Sequence, residues 1–139
     1  MWKQYYTVSS IDEALEILKK DRSRARIIAG GTDLVLELKN GMHQDVDTLI
    51  DITRVKNADA IWSDDDRVYF GPAVTHNQSL VSDDLLRYGF PLVRAAYSIG
   101  APQIRNVGTI VGNIVTASPA NDTITPLIAL DASVKIRSK

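Results

Sequence analysis

The chain has 139 residues, 45% of them hydrophobic and 24% charged, with a net charge of −1. That balance leaves no electrostatic footprint for nucleic acid or an anionic membrane, and no apolar run reaches the ~20 residues that span a bilayer. There is no cysteine and only two histidines, His43 and His76, so disulfides, cysteine-held iron–sulfur clusters and structural zinc sites are excluded, and a redox role requires an organic cofactor.

Residues 4–8 (QYYTV) are rich in β-formers and predict a strand. Ser10 and Glu13 fit a capping box, and Ile11, Ala14, Leu15 and Leu18 follow helical spacing to about Lys20. A charged turn (21–24) leads to a short buried strand, 25–29 (ARIIA), with Ile27 and Ile28 in its middle. Gly30, Gly31 and Thr32 break that strand. Residues 33–40 then predict a helix, with Leu34 and Leu38 paired at i,i+4, Lys39 in the last turn and Gly41 just beyond its end. Asp33 reads as an acidic first-turn residue completing the cap. Glycines between a strand and a helix start are the setting a phosphate-binding turn requires, but this is neither G-x-G-x-x-G nor a Walker A loop. Residues 47–52 (DTLID and Ile52) predict a third strand, which completes a βαβαβ unit with right-handed crossovers.

The pattern then changes. Residues 60–63 and 67–71 predict an antiparallel hairpin around Asp64, Asp65 and Asp66, an acidic triplet that reads as a solvated tip, since calcium loops need spaced oxygens and a pivot glycine. Thr75 and Gln78 form a second capping box for a short helix through Val81. His76 beside it is either a ligand contact or a hydrogen-bonded structural residue. Pro91 opens a helix with Leu92, Ala95, Ala96 and Ile99 on one face and Gly100 at its end. Residues 102–131 are dense in small residues, suited to close main-chain approach to an anion, and lead into an apolar helix over 124–130. Residues 133–137 predict a last strand. A strand so near the end, with no partner after it, suggests a domain that continues further. The chain has the length of one domain or of a fragment, and MWKQ opens no secretory signal, so the cytoplasm is the default location. No Ser/His/Asp set or carboxylate pair forms a recognisable catalytic centre. Neither a catalytic residue nor a metal ligand is therefore assigned.

The AGGTDL run at 29–34, followed by IGAPQIRNVGTIVGN at 99–113 and ASPAND at 117–122, resembles the FAD-binding (medium, flavoprotein) subunits of the molybdenum hydroxylase family, which includes xanthine dehydrogenase and carbon monoxide dehydrogenase. The resemblance implies an α+β, PCMH-type FAD-binding fold. Its small βαβαβ subdomain would be 1–55. A larger one at 56–139, with a mostly antiparallel sheet and flanking helices, would be truncated at its C-terminus. The cofactor implied is FAD. Ile27, Ile28, Ala29, Gly30, Gly31, Thr32, Asp33 and Leu34 would wrap its pyrophosphate, and Thr109, Ile110, Val111, Gly112 and Asn113 would add contacts. Ile99, Thr116, Ser118 and Asp122 would lie on or near it. Ile99 stands where some members place an aromatic ring. Val111 replaces a glycine of the family pattern, so either that position has ordinary dihedrals or the pocket is reshaped. The implied partners are a molybdopterin-binding large subunit and a small subunit carrying 2Fe–2S clusters, with electrons leaving through FAD to NAD or another acceptor. Two alternatives stay open: a nucleotide- or partner-binding module that has lost the flavin, and a stand-alone flavin oxidoreductase.

Overall fold

The computed structural model describes residues 2–21 and 23–138; of the expected charged turn at 21–24, Arg22 lies outside the described residues. Strands β1 (Gln4–Thr7), β2 (Ala25–Ile28) and β3 (Thr48–Asp51) alternate with helices α1 (Ile11–Lys20) and α2 (Leu34–Lys39). The sheet runs β1-β3-β2, and both pairings are parallel. Side chains on a strand alternate between faces, and here each face carries its own helix. Ile50 and Ile52 pack with Val8, Ala25 and the α1 residues Ala14, Ile17 and Leu18, while Leu49, Ile28 and Val46 pack with Leu34, Val35 and Leu38 of α2. The expected burial of Ile27 does not hold. Its side chain is 45% exposed, because β2 is an edge strand.

The local signals at α1 act largely as expected. Ser10 Oγ accepts from the Glu13 N–H at 3.2 Å. The return arm, however, goes one residue earlier, with the Ser9 N–H donating to Glu13 Oε2 at 2.9 Å. Gly41 takes φ +78 just past α2.

After β3 the chain forms an antiparallel hairpin of β4 (Ile61–Ser63) and β5 (Val68–Phe70). Asp64 organises its tip: Oδ1 accepts from the N–H groups of Asp66 and Arg67, and Oδ2 accepts from the Tyr69 hydroxyl at 2.8 Å. The remainder is helical: α3 (His76–Leu80), α4 (Asp83–Tyr88), α5 (Phe90–Ser98), α6 (Pro102–Val107), α7 (Ile110–Val115) and α8 (Ile124–Ala129). Val74, Leu85, Leu92, Val93, Ile110 and Leu127 form their core, which the hairpin covers with Ile61, Val68 and Phe70.

Three departures from the sequence reading stand out. The small-residue stretch expected as a turn-rich cradle contains α6 and α7. Helix α4, capped by Ser82 Oγ on the Leu85 N–H, was not expected. Residues 133–137 form no strand; they are held instead by polar contacts, Arg67 to Ser133 and Arg137 to Asp12.

Candidate functional site

The two glycine stretches meet. Beyond β2 the chain turns through Ala29 and Gly30, and the Gly30 main chain lies directly on Val107 and Gly108. A Cβ at Gly30 would fall 2.0 Å from the Val107 carbonyl oxygen and 2.9 Å from Gly108 Cα. Gly31 takes φ +68, a conformation side chains resist, and a Cβ there would meet the Ile28 side chain at 2.9 Å. Among the described residues, no protein acceptor faces the N–H of Gly31 or Thr32. The Asp33 side chain makes no cap bond to α2, contrary to the expected capping role; its carboxylate approaches the Thr32 hydroxyl instead.

Opposite this turn, the main chain at 108–110 is stitched to the start of α3. His76 N–H donates to Gly108 O and Ile110 N–H to Val74 O, each at 3.0 Å, and Thr75 bridges Thr109. Between the halves lies a cleft of about 630 Å³, whose walls include Ala29, Gly30, Thr53, Asn77, Asn106 and Thr109. Thr53 is placed by Asp51 at the carboxyl end of β3, whose Oδ1 accepts from the Thr53 N–H at 2.8 Å and its hydroxyl at 2.7 Å. Burial pushes the Asp51 carboxyl up, but the Thr53 bonds, the Tyr5 phenol and the Arg54 charge outweigh it and hold the group below its ordinary value. Asn77 and Asn106 hydrogen-bond across the second wall. A groove of about 660 Å³ beside Lys3, Arg24 and Asp47 lies where the parallel strands begin. Ligand crevices of such sheets open beyond the carboxyl ends of the strands, and that groove holds none of the expected site residues.

The second motif is built around a capped helix. Thr109 Oγ1 accepts from the Gly112 N–H at 3.0 Å, and a Cβ on Gly112 would press against that same oxygen at 2.8 Å. Val111 lies within α7 and has no positive φ, so the replacement of glycine there demands no unusual backbone. Asn113 ties α7 to the following turn. Its Oδ1 accepts from the Thr123 N–H and hydroxyl, and its carbonyl accepts from the Thr116 hydroxyl at 2.9 Å and from the Asn121 amide. Ser118 Oγ accepts from the Ala120 N–H, and Ala117 between these contacts takes φ +50.

Not every expected residue offers its side chain to the cleft. Ile28 and Ile110 are buried core residues and Leu34, at the start of α2, packs against the core under the sheet; the Ile28 carbonyl and the Ile110 N–H are also already bonded, to the Ile52 N–H and the Val74 carbonyl. Ile27 points to solvent from β2. Ile99 is half-buried at the end of α5. Asp33 and Asp122, one from each motif, converge electrostatically on His76. That residue is 3% exposed and its Nδ1 is buried without a partner. Burial lowers the His76 pKa, Arg105 acts in the same direction, and Asp122 and Asp33 oppose them. Thr53, Asn77, Asn106 and Arg105 are the residues sequence reasoning did not pick out. Asn106 and Arg105 stand inside a quoted motif but carry no local signal, and Thr53 and Asn77 come from elsewhere in the chain.

Residues 2–139 match the protein family described as the FAD binding domain in molybdopterin dehydrogenase. The chain is 36% identical over 137 residues to the nicotinate dehydrogenase FAD-subunit of Eubacterium barkeri, covering 97% of this chain and 46% of that protein. It is 35% identical over 130 residues to the carbon monoxide dehydrogenase medium chain of Hydrogenophaga pseudoflava, covering 93% and 45%. A solved structure of carbon monoxide dehydrogenase from Hydrogenophaga pseudoflava, lacking the Mo-pyranopterin moiety of its molybdenum cofactor, superposes with a TM-score of 0.81 at 30% identity, over 88% of this chain and 42% of that one. The chain therefore spans about half the length of the curated relatives it matches, and it shares their α+β fold. With the family matched along nearly its whole length, and both glycine stretches meeting at one cleft, this chain belongs to the FAD-binding domain family of the molybdopterin dehydrogenases.

Proposed function

We propose that this chain binds FAD as part of the flavoprotein subunit of a cytoplasmic molybdenum-containing hydroxylase or dehydrogenase. The observation that carries the reading is the main-chain contact of Gly30 with Val107 and Gly108, which brings the two motifs to one cleft. The residues present fit the cofactor. The unpaired N–H groups of Gly31 and Thr32 suit the pyrophosphate oxygens, because main-chain donors in a turn with a positive-φ glycine form an anion-binding concavity. Thr109 lines the other wall, and the likeness to the family adds Thr116, Ser118, Asp122 and Ile99 as further contacts to the cofactor. The Gly112 N–H is already committed to Thr109, so its glycine serves that cap, while Asn113 shapes the 118–123 turn. Cofactor binding is thereby divided between a small subdomain, 1–55, and a second, 56–139.

When bound, FAD supplies the electron-transfer chemistry, and the polypeptide supplies binding and orientation. Electrons would arrive from the 2Fe–2S clusters of a small subunit, after oxidation of a substrate on a molybdopterin-binding large subunit, and leave to NAD or another acceptor. The absence of cysteine is consistent with metal centres held elsewhere. A module that has lost its flavin is the weaker reading, since the replacement of glycine by Val111 falls on ordinary helical backbone.

The visible spectrum of the purified protein after gel filtration with added FAD tests this. The expected result is a stoichiometric flavin spectrum, lost in Gly31→Val with the circular-dichroism signature of the fold retained. Stoichiometric flavin in that variant would remove the pyrophosphate assignment, and a colourless wild-type protein would remove the FAD reading itself.

A further inference from the structure

Behind the meeting point of the two glycine stretches lies a buried histidine. His76 opens α3; its side chain is 3% exposed, and its Nδ1 has no hydrogen-bond partner among the described residues. The ring packs on Gly108, where a Cβ would meet its Cδ2 at 3.3 Å and its Nε2 at 3.6 Å. Gly108 in turn faces Gly30, whose added Cβ would fall 2.9 Å from the Gly108 Cα. Ring, Gly108 and Gly30 thus form one line of contact across the two halves, and its two joints differ in kind. On the side of α3 the main chain at 108–110 is hydrogen-bonded, through the His76 and Ile110 N–H groups and the bridge of Thr75 with Thr109. Among the described residues, no main-chain hydrogen bond joins Gly30 to Val107 or Gly108, so that seam is held by packing alone.

Three charged groups act on the ring: Asp33 from the turn before α2, Asp122 from the turn before α8, and Arg105 from α6. Helices α4 and α5 also pack on α3, but their charged side chains, Asp83, Asp84, Arg87 and Arg94, are not among the groups that act on it. A neutral imidazole can leave one nitrogen bare, whereas imidazolium carries an N–H on both. A proton would therefore set a donor at the unpartnered Nδ1 and a charge in a dry site, both costly unless water reaches them. The joint without hydrogen bonds yields first. We propose that His76 is an acid-sensitive latch between the halves of the cleft: the neutral ring backs Gly108 against Gly30, and a proton on the ring opens that seam while the rest of the fold holds. Burial and Arg105, opposed by the two carboxylates, keep the ring's folded pKa below its ordinary value. The closed seam is thus fully present above the unfolded value of about 6.5 and is lost as pH falls toward the folded one. The latch goes beyond the FAD reading and needs no cofactor; on that reading, the same opening draws the turn of Gly31 and Thr32 away from the Thr109 wall and releases the ligand.

The test exploits the absence of native cysteine. Spin labels on Leu36→Cys and Gln103→Cys, at exposed positions of α2 and α6, report the distance across the cleft by double electron–electron resonance. The pair is compared with His76 intact, with His76→Leu and with His76→Gln, between about pH 7.5 and about pH 5, either side of the ordinary imidazole value. With His76 intact, a longer distance should appear at the acid end, and its population relative to the shorter one should rise by up to about tenfold per pH unit, the limit for one proton. Far-UV circular dichroism stays unchanged over that range. The midpoint coincides with the titration of the His76 ring resonance, which is told from that of His43 by its loss in His76→Leu. Both variants keep the shorter distance throughout, and His76→Gln, polar but never charged, decides should His76→Leu fail to fold. The proposal is overturned by a distance that stays constant or shortens while the ring titrates, by the same opening in the His76 variants, or by an opening that appears only together with loss of the far-UV signal. A ring that takes up no proton before the fold is lost overturns it as well. No ligand enters these measurements, so a protein that binds no FAD would defeat the cofactor reading and leave the latch to be judged on its own.

Discussion

At Gly30 even the methyl of alanine would fall 2.0 Å from a carbonyl oxygen of the opposing segment, so the two halves must separate to admit it. Overpacking of this kind costs about 1–3 kcal/mol. Gly30→Ala should lose about that much in urea unfolding, and an unchanged midpoint would show that the halves yield freely. Gly41 makes a useful contrast. A Cβ there meets nothing closer than 4.0 Å, so its constraint is the φ of +78 alone. His76 yields a different residue-scale expectation. Burial, reinforced by Arg105 and opposed by Asp122 and Asp33, holds its folded pKa below the ordinary value. A base with a depressed folded pKa contributes its full stability above the unfolded pKa of about 6.5 and loses it as pH falls toward the folded value. Stability should therefore decline as the pH drops below about 6.5, and His76→Leu should flatten that part of the profile. An identical decline in the variant would assign the titration to other groups.

Among the elements, α3 has both arms of its capping box in place: Thr75 Oγ1 accepts from the Gln78 N–H at 3.2 Å, and Gln78 Oε1 accepts from the Thr75 N–H at 2.8 Å. Thr75→Ala should cost about 1 kcal/mol in denaturant unfolding, with Thr75→Ser close to wild type; no loss would mean that the bridge to Thr109 carries the helix start alone. This box was readable in the sequence because its chemistry is local. Helices α6 and α7 were not. Pro102, Gly108 and Gly112 look like breakers, yet Pro102 opens α6, Gly108 closes it, and Gly112 sits in the first turn of α7 under the Thr109 cap. Ile110, Val111, Ile114 and Val115 are poor helix formers in isolation. Burial of Ile110, with Ile114 packed against the same core, overrides that preference, as tertiary packing does for most short helices. Residues 133–137 fail in the opposite sense. Val134 and Ile136 alternate as a strand should, but alternation only marks a face to bury, and both are exposed.

At the scale of the molecule, the parallel unit followed by a hairpin could be read directly, since each strand and helix announces itself by its own period. The two glycine stretches could be recognised separately. Their contact could not, because nothing local in Gly30 specifies Val107 as its neighbour. The polar wall of Asn77 and Asn106 was equally hidden, as it exists only once α3 and α6 lie side by side. The order of the parallel sheet has one more consequence, in time rather than space. β1 and β2 come first along the chain but never touch; each pairs only with β3. Neither can close a ladder until residues 48–51 arrive between them. No part of the sheet therefore forms without the third strand, the one partner that both earlier strands share.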